Sequence, residues 1–408
     1  MLRRFLIILI SLGLVSCSSI SDKHLLLQRN SPLPKMINSN IIVDKEKFPS
    51  ESKYSPLNYE KVKAVWISYL ELADIVNKGE DYFSDKFSEM CSNCADIGFN
   101  TLYVHVRAFS DAFYPSSFYS YSKAFGDKPF DALKIMVEEA HKLKLSFHAW
   151  INPLRCENKD YIEAISKGTV MESWLSDPIK YESYMVYVKD TLHYWMNPAI
   201  YEVRDIIAKG AGEIARNYDV DGVHIDDYFY PTTEAYFDAG IYVESGTDIP
   251  LNEWRLENTD KMVKAIYNAV KSENSNVEFG ISPQGNILNN YNYMFADVKR
   301  WCREEGFADY IVPQIYFGYE NKLKPFDTAI NEWVELERNS SIKMMIGIGA
   351  YKIASEEEFI NDVGITVTQA KEAFEHFNGA SVFSYRSLFG SSRADKEREA
   401  LKEYFSNL

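Results

Sequence analysis

Eight apolar runs, each separated from the next by a stretch of helical periodicity, constrain the fold of this chain more than any other feature. The runs extend from Lys63 to Leu70, Thr101 to Ala108, Ser146 to Pro153, Gly222 to Tyr228, Glu278 to Gln284, Tyr310 to Phe317, Lys343 to Ala350 and Ala380 to Tyr385. Helical patterns occupy the gaps, among them Phe130 to Leu143, Ala199 to Tyr218, Leu256 to Ser272 and Thr366 to Phe377. Strands that alternate with helices pair in parallel, and eight such units close most economically into an α/β (β/α)8 TIM barrel. The competing architecture is an open doubly wound sheet. It would carry a glycine-rich turn after the first strand, and KAVWISYL is followed by none.

In such a barrel the chemistry belongs at the C-terminal ends of the strands. The run Val220 to Pro231, VDGVHIDDYFYP, leads from a turn through a short strand into adjacent carboxylates, Asp226 and Asp227, followed by aromatic residues and a proline. A side-chain period of two places His224, Asp226 and Tyr228 on one face. Asp227 points the other way unless the chain has already bent. Five other runs also end in polar and aromatic groups: His105 and Arg107; His148, Trp150, Asn152 and Arg155; Ser282, Gln284 and Asn286; Gln314 and Tyr316; Ser384, Tyr385 and Arg386. Tyr351 follows the seventh. Taken singly, each has a structural explanation, since a lone histidine is more often a hydrogen-bonded core residue and a lone tyrosine more often packing. Six such endings together predict a cleft. The long insertion from Arg155 to Met196, rich in Trp and Tyr, is expected to roof it.

The chain begins with Arg3 and Arg4, an apolar run from Phe5 to Val15, and Leu14-Val15-Ser16-Cys17. The run is shorter than the roughly 20 residues a membrane span requires. The pattern resembles a bacterial lipoprotein signal, in which the cysteine is acylated and becomes the first mature residue. The expected organisation is a signal peptide over residues 1–16, lipidated Cys17 with a flexible tether to residue 59, and a catalytic domain over 60–408. That implies a lipid-anchored location in the cell envelope, at the periplasmic face of the outer membrane. Composition fits a folded domain of roughly 350 residues, with 46% hydrophobic and 14% aromatic residues. A net charge of −15 lacks the basic footprint of a nucleic-acid partner. Beyond Cys17, the cysteines Cys91, Cys94, Cys156 and Cys302 have no zinc-ribbon spacing and read as buried small residues or an optional disulfide.

Eight blocks in order, KAVWISYL, VRAFSDAFYPSSFY, HAWINPLR, WMNPAIYEVRD, DGVHIDDYFYP, GISPQGN, DYIVPQIYFGY and GIGAYKI, resemble the glycosyl-hydrolase-like family 10 domain from about Lys61 to about Leu388. The resemblance implies a glycosidase acting on a β-linked amino-sugar polymer, peptidoglycan strands stripped of stem peptides, without a cofactor. It carries the acidic pair over to Asp226 and Asp227 as catalytic residues. His105, Arg107, His148, Trp150, Asn152, Arg155, His224, Tyr228, Gln314 and Tyr316 are then candidates for substrate contact.

The residues leave the mechanism open. Glycoside hydrolysis ordinarily employs two carboxyls about 5 Å apart, or more when inverting. Neighbours on one strand diverge, and Gln284 and Gln314 stand where other strands would supply an acid. Chitinase-type barrels carry Asp-Gly-x-Asp-x-Asp-x-Glu on the fourth strand. Aligned on Asp221 and Gly222, this chain has His224, Asp226 and Tyr228 at the last three positions, so the usual proton donor is missing. Substrate assistance by an acetamido group remains open if Asp226 or Asp227 serves as the acid, and Asp226 is preferred because it shares a face with His224. A metal-dependent amidase or deacetylase, with His105, His148, His224 and Asp226 as ligands, is one alternative. A noncatalytic carbohydrate-binding lipoprotein is another. Cys17→Ser is expected to abolish palmitate labelling and release the protein from the membrane fraction; a variant that still labels and sediments with membranes would refute the anchor.

Overall fold

The computed structural model describes residues 54–408; the signal segment, Cys17 and the expected tether up to residue 53 lie outside the described residues. Eight parallel strands form a closed barrel: β1 (Val62–Ile67), β2 (Thr101–Arg107), β3 (Ser146–Ile151), then, beyond three strands of an insertion, β7 (Gly222–Ile225), β8 (Glu278–Ile281), β9 (Tyr310–Ile311), β10 (Lys343–Gly349) and β11 (Gly379–Phe383). Each pairs with its sequential neighbour in the barrel, and β11 closes on β1. The eight expected strands are all present, and helices cover the outside of the barrel. All seven residues of β2 are buried, as a strand enclosed on both faces requires.

Regular pairing ends sooner than the apolar runs. β7 stops at Ile225, β8 at Ile281 and β9 at Ile311. Pro283 and Pro313, which have no N–H for a ladder, follow the last two, and only isolated bridges from Gln284 to Gln314 and from Gln314 to Gly347 continue the sheet. β1 ends where Ser68 caps a helix, Tyr69–Val76, whose Glu71 completes a capping box. The insertion forms a separate antiparallel sheet of β4 (Arg155–Asn158), β5 (Met185–Val188) and β6 (His193–Met196), with β6 central, flanked by short helices.

The barrel interior holds rings in place of the usual branched aliphatics. Trp66, Tyr103, Trp150 and Tyr310 cluster there with Val62, Ala64, Val312 and Met345, and His148 and His224 complete the filling. Tyr103 stacks on His224 with centroids 4.3 Å apart. Two glycines make room: a Cβ at Gly222 would fall within the His148 ring, and one at Gly280 within the Tyr310 ring. In register, Gly222 lies opposite His148, and Gly280 lies between His224 and Tyr310.

The polar atoms of these rings form a directed chain. The Trp66 indole can only donate, and it does so to His224 Nε2 at 3.3 Å. His224 therefore carries its proton on Nδ1 and donates to the Tyr310 hydroxyl at 3.0 Å. Tyr310 in turn donates to His148 Nδ1 at 2.7 Å, and His148 Nε2 donates to Ser146 Oγ at 3.0 Å. Burial lowers the His148 pKa to about 4 and takes that of His224 well below its ordinary value, helped by the charges His148 and His105 would carry. Both rings are neutral.

At the opposite end from the strand termini, residues 54–59 run under the barrel, although the tether was expected to continue to residue 59. Fully buried Asp221 holds them: its carboxylate accepts from Tyr54 Oη and Leu57 N, both at 2.5 Å, from Phe147 N at 2.6 Å and from His141 Nε2 at 2.9 Å. Lys343 Nζ donates to the Tyr59 carbonyl at 3.1 Å. Cys91, Cys94, Cys156 and Cys302 are buried free thiols. Because a Cβ at Gly280 would overlap the buried Tyr310 ring, Gly280→Ala is expected to destabilise the barrel by about 3 kcal/mol, the scale of severe overpacking; urea denaturation at wild-type midpoint would show that the Tyr310 ring has room to move.

Candidate active site

A cleft of about 410 Å³ opens at the C-terminal ends of the strands. Asp226 and Asp227 both line it. The strand ends at Ile225 and the chain bends at once, so the alternation that would have turned Asp227 away no longer holds. Among the described residues lining the cleft, these two are the only carboxylates.

Their surroundings differ. Asp226 is 3% exposed. Its pKa stands well above the usual carboxylate range, first through burial and then through the negative charge of Asp227; the Tyr228 N–H, the Trp150 indole and Arg155 act against that rise. Asp227 is also raised by burial, but two side-chain amides favour its anion: Gln314 Nε2 donates to Oδ1 at 3.1 Å and Gln284 Nε2 to Oδ2 at 3.2 Å. Asn290 fixes Gln284 in turn, accepting from its backbone N–H at 3.0 Å and donating to its carbonyl at 2.7 Å. Burial thus raises both carboxyls, Asp226 the more strongly, while the two amides favour the anion of Asp227 alone, and a carboxyl with a raised pKa suits general acid catalysis.

Rings form the walls. On one side Tyr316 stacks on Phe383 at 5.6 Å and meets the edge of Tyr351 at 5.9 Å. On the other, Tyr69 meets Phe109 at 4.8 Å, and the Arg155 guanidinium lies over Phe109 at 4.4 Å and over Tyr228 at 4.7 Å. The insertion sheet flanks this second wall, with Trp195 5.8 Å from Tyr228. Flat apolar faces with a few polar groups suit the C–H faces and hydroxyls of sugars.

Of the twelve residues named as catalytic or substrate-contact candidates, His105, Trp150, Arg155, Asp226, Asp227, Tyr228, Gln314 and Tyr316 line the cleft, as does Tyr351. Four do not. Arg107 would face inward by alternation, but the pairing of β2 with β3 shifts register between His105 and Arg107, and this bulge directs the side chain outward. It lies over Tyr119 at 4.2 Å, against Gly210 of the helix Tyr201–Asn217. Asn152 is fully buried, bonded to His105 at 3.2 Å and to the Ala108 carbonyl at 3.2 Å. His148 and His224 lie below the cleft in the hydrogen-bonded chain. Because His105 Nδ1 accepts from Tyr69 N at 3.3 Å and its Nε2 faces Asn152 Oδ1, the three histidines spend their ring nitrogens on protein groups. Among the described residues, no group of three His, Cys, Asp or Glu side chains is placed to hold a metal ion.

The sequence reading missed Trp66, Tyr69 and Phe383. Alternation along KAVWISYL already aligns Ala64 with Trp66, so that signal was available. Tyr69 and Phe383 lie at the ends of the first and last runs, where the strand-end rule applied to the other runs could have found them. Gln284 stands in the sequence as a polar strand end and as a position without an acid, and its role is visible only through its contact with Asp227.

The model of the family described as glycosyl hydrolase-like 10 matches residues 61–362. Glycosyl hydrolase YngK of Bacillus subtilis (strain 168) is 30% identical over 365 residues, 80% of this chain and 69% of the relative. Glycosyl hydrolase DigH of Escherichia coli (strain K12) is 30% identical over 300 residues, 65% of each chain. This chain therefore spans about two thirds of the length of either relative. Among solved structures, the glycoside hydrolase domain of PgaB (BpsB) from Bordetella bronchiseptica is similar with a TM-score of 0.58 at 9% identity, covering 83% of this chain and 98% of that one. The endo-1,4-β-mannanase of Rhizomucor miehei gives 0.55 at 8% identity, covering 88% and 99%. At such identities the likeness concerns the barrel fold.

Gln284→Met removes a donor that favours ionised Asp227. Chemistry that needs this anion loses rate as pH falls through the Asp227 pKa, so the acid limb of the kcat/KM profile is expected to move to higher pH. An unmoved acid limb would show that the amide does not stabilise the anion.

Proposed function

This chain belongs to the glycosyl hydrolase-like 10 family and is a glycosidase, and from that premise we propose that it cleaves a β-linked amino-sugar glycan, peptidoglycan strands that have lost their stem peptides. The observation that carries the reading is the turn of two adjacent carboxylates into one cleft, in environments that separate their protonation. Asp226, the more strongly raised, is the general acid and donates its proton to the leaving glycosidic oxygen. Asp227, held ionised by Gln284 and Gln314, is the anion.

A second carboxylate across the bond, as a retaining or inverting pair would need, is missing from the described lining of the cleft. The substrate's own 2-acetamido group fills that place. Its carbonyl oxygen attacks the anomeric carbon as the bond to the leaving oxygen breaks, and Asp227 accepts the acetamido N–H and offsets the positive charge of the resulting oxazolinium ring. Asp226, now ionised, takes a proton from the water that opens the ring, which restores both carboxyls. Trp150, Tyr228 and Tyr316 offer surfaces for the sugar rings, and Gln314 holds Asp227 from the cleft floor. Anchorage through Cys17 would place this activity in the cell envelope, with the wall polymer within reach.

Asp226→Asn preserves size and removes the transferable proton. Release of soluble fragments from stripped peptidoglycan is expected to fall by a factor of about a hundred or more, the scale for losing a general acid. The melting temperature should equal or exceed that of the wild type, since a buried carboxyl beside another is relieved. Turnover by this variant at the wild-type rate would remove Asp226 from the mechanism.

A further inference from the structure

Arg155 is the only lysine or arginine among the described residues that line the cleft. Its guanidinium lies over the rings of Phe109 and Tyr228, contacts that hold it in place but give no oxygen acceptor to its five N–H donors. No hydrogen bond or ion pair joins this side chain to any described residue. Asp226 and Asp227 are near enough to feel its charge, yet neither pairs with it within 4.0 Å. In a chain with 59 acidic side chains, a cleft arginine without a carboxylate has its strongest bidentate partner still to come.

The acidic pair makes the case stronger. An ionised carboxylate in a desolvated cleft repels an anionic substrate, so binding one requires a compensating cation nearby. Arg155 is that cation. It is held by the first residue of β4, beside the Tyr228 wall and away from the two amides that occupy Asp227.

We infer that Arg155 binds a carboxylate carried by the substrate, the lactyl carboxylate that a muramic acid unit exposes once its stem peptide is gone. The inference rests on the glycosidase reading above and deepens it. While the peptide is attached, that carbonyl is a neutral amide with a bulky substituent; hydrolysis of the amide leaves a compact anion. Arg155 thus distinguishes stripped strands by charge as well as by size, and selectivity for them follows from one unpaired guanidinium.

The test compares two substrates that differ only at this group: stripped strands, and the same strands with their lactyl carboxyls converted to carboxamides by carbodiimide and ammonia. The full-length wild type is expected to show a kcat/KM about tenfold or more higher on the carboxylate strands, carried by KM, the scale of one charge-assisted contact. In Arg155→Met the ratio between the two substrates should fall to about one, and Arg155→Lys should restore part of it. If Arg155 only tuned the acidic pair, both substrates would slow by the same factor, and that outcome overturns the inference. Equal rates of the wild type on both strands overturn it too, while leaving the glycosidase reading intact. Failure of the wild type to cleave either strand would instead refute the substrate reading on which the inference rests.

Discussion

The hydrogen-bonded chain through the barrel axis, from Trp66 through His224 and Tyr310 to His148 and Ser146, is the interaction on which the rest of the structure depends. Buried polar rings are costly unless every donor finds an acceptor, and here each link is satisfied by one assignment of protons. Gly222 and Gly280 supply the space, so the network is a property of small residues as much as of large ones. It ties β1, β3, β7 and β9 together across the interior. Asp226 lies two residues beyond His224, and its position follows from that of the ring below it.

The same network sets the electrostatics of the cleft. A floor of neutral histidines and aromatic rings gives Asp226 little solvation and no nearby positive imidazole, so burial dominates and raises its pKa. Had His224 been charged, it would have favoured the anion and weakened the acid. Burial raises Asp227 too, but there Gln284 and Gln314 act against the rise, hanging from the ends of β8 and β9 just where proline breaks the ladder. The irregular ends of these two strands are thus what frees two amides to turn toward the carboxylate.

Much of this was legible in the sequence, and the failures have physical causes. Eight alternations identified the barrel because a strand buried on both faces leaves an unmistakable apolar run. The acidic pair was legible because two carboxylates after such a run have few structural uses. Strand ends were read too long, because Pro283 and Pro313 cut the ladder inside stretches that remain apolar. Arg107 was assigned to the cleft because strict alternation cannot register a bulge, and Asn152 because polarity at a strand end does not reveal whether a group faces substrate or a neighbouring histidine. His148 and His224 looked like ligands, and only their contacts show that they serve as filling. The meaning of Gln284 and Gln314 depended on tertiary proximity to Asp227, which spacing alone does not encode.

The passage of residues 54–59 beneath the barrel has a mechanical consequence. Tyr54, Leu57, Phe147 and His141 meet at the Asp221 carboxylate on the face away from the cleft. Anything that grips the chain ahead of Tyr54 therefore grips the enzyme from behind. A tug transmitted along the backbone would load that four-way latch and the base of β3 and β7 first, and the mouth of the cleft would bear none of it directly.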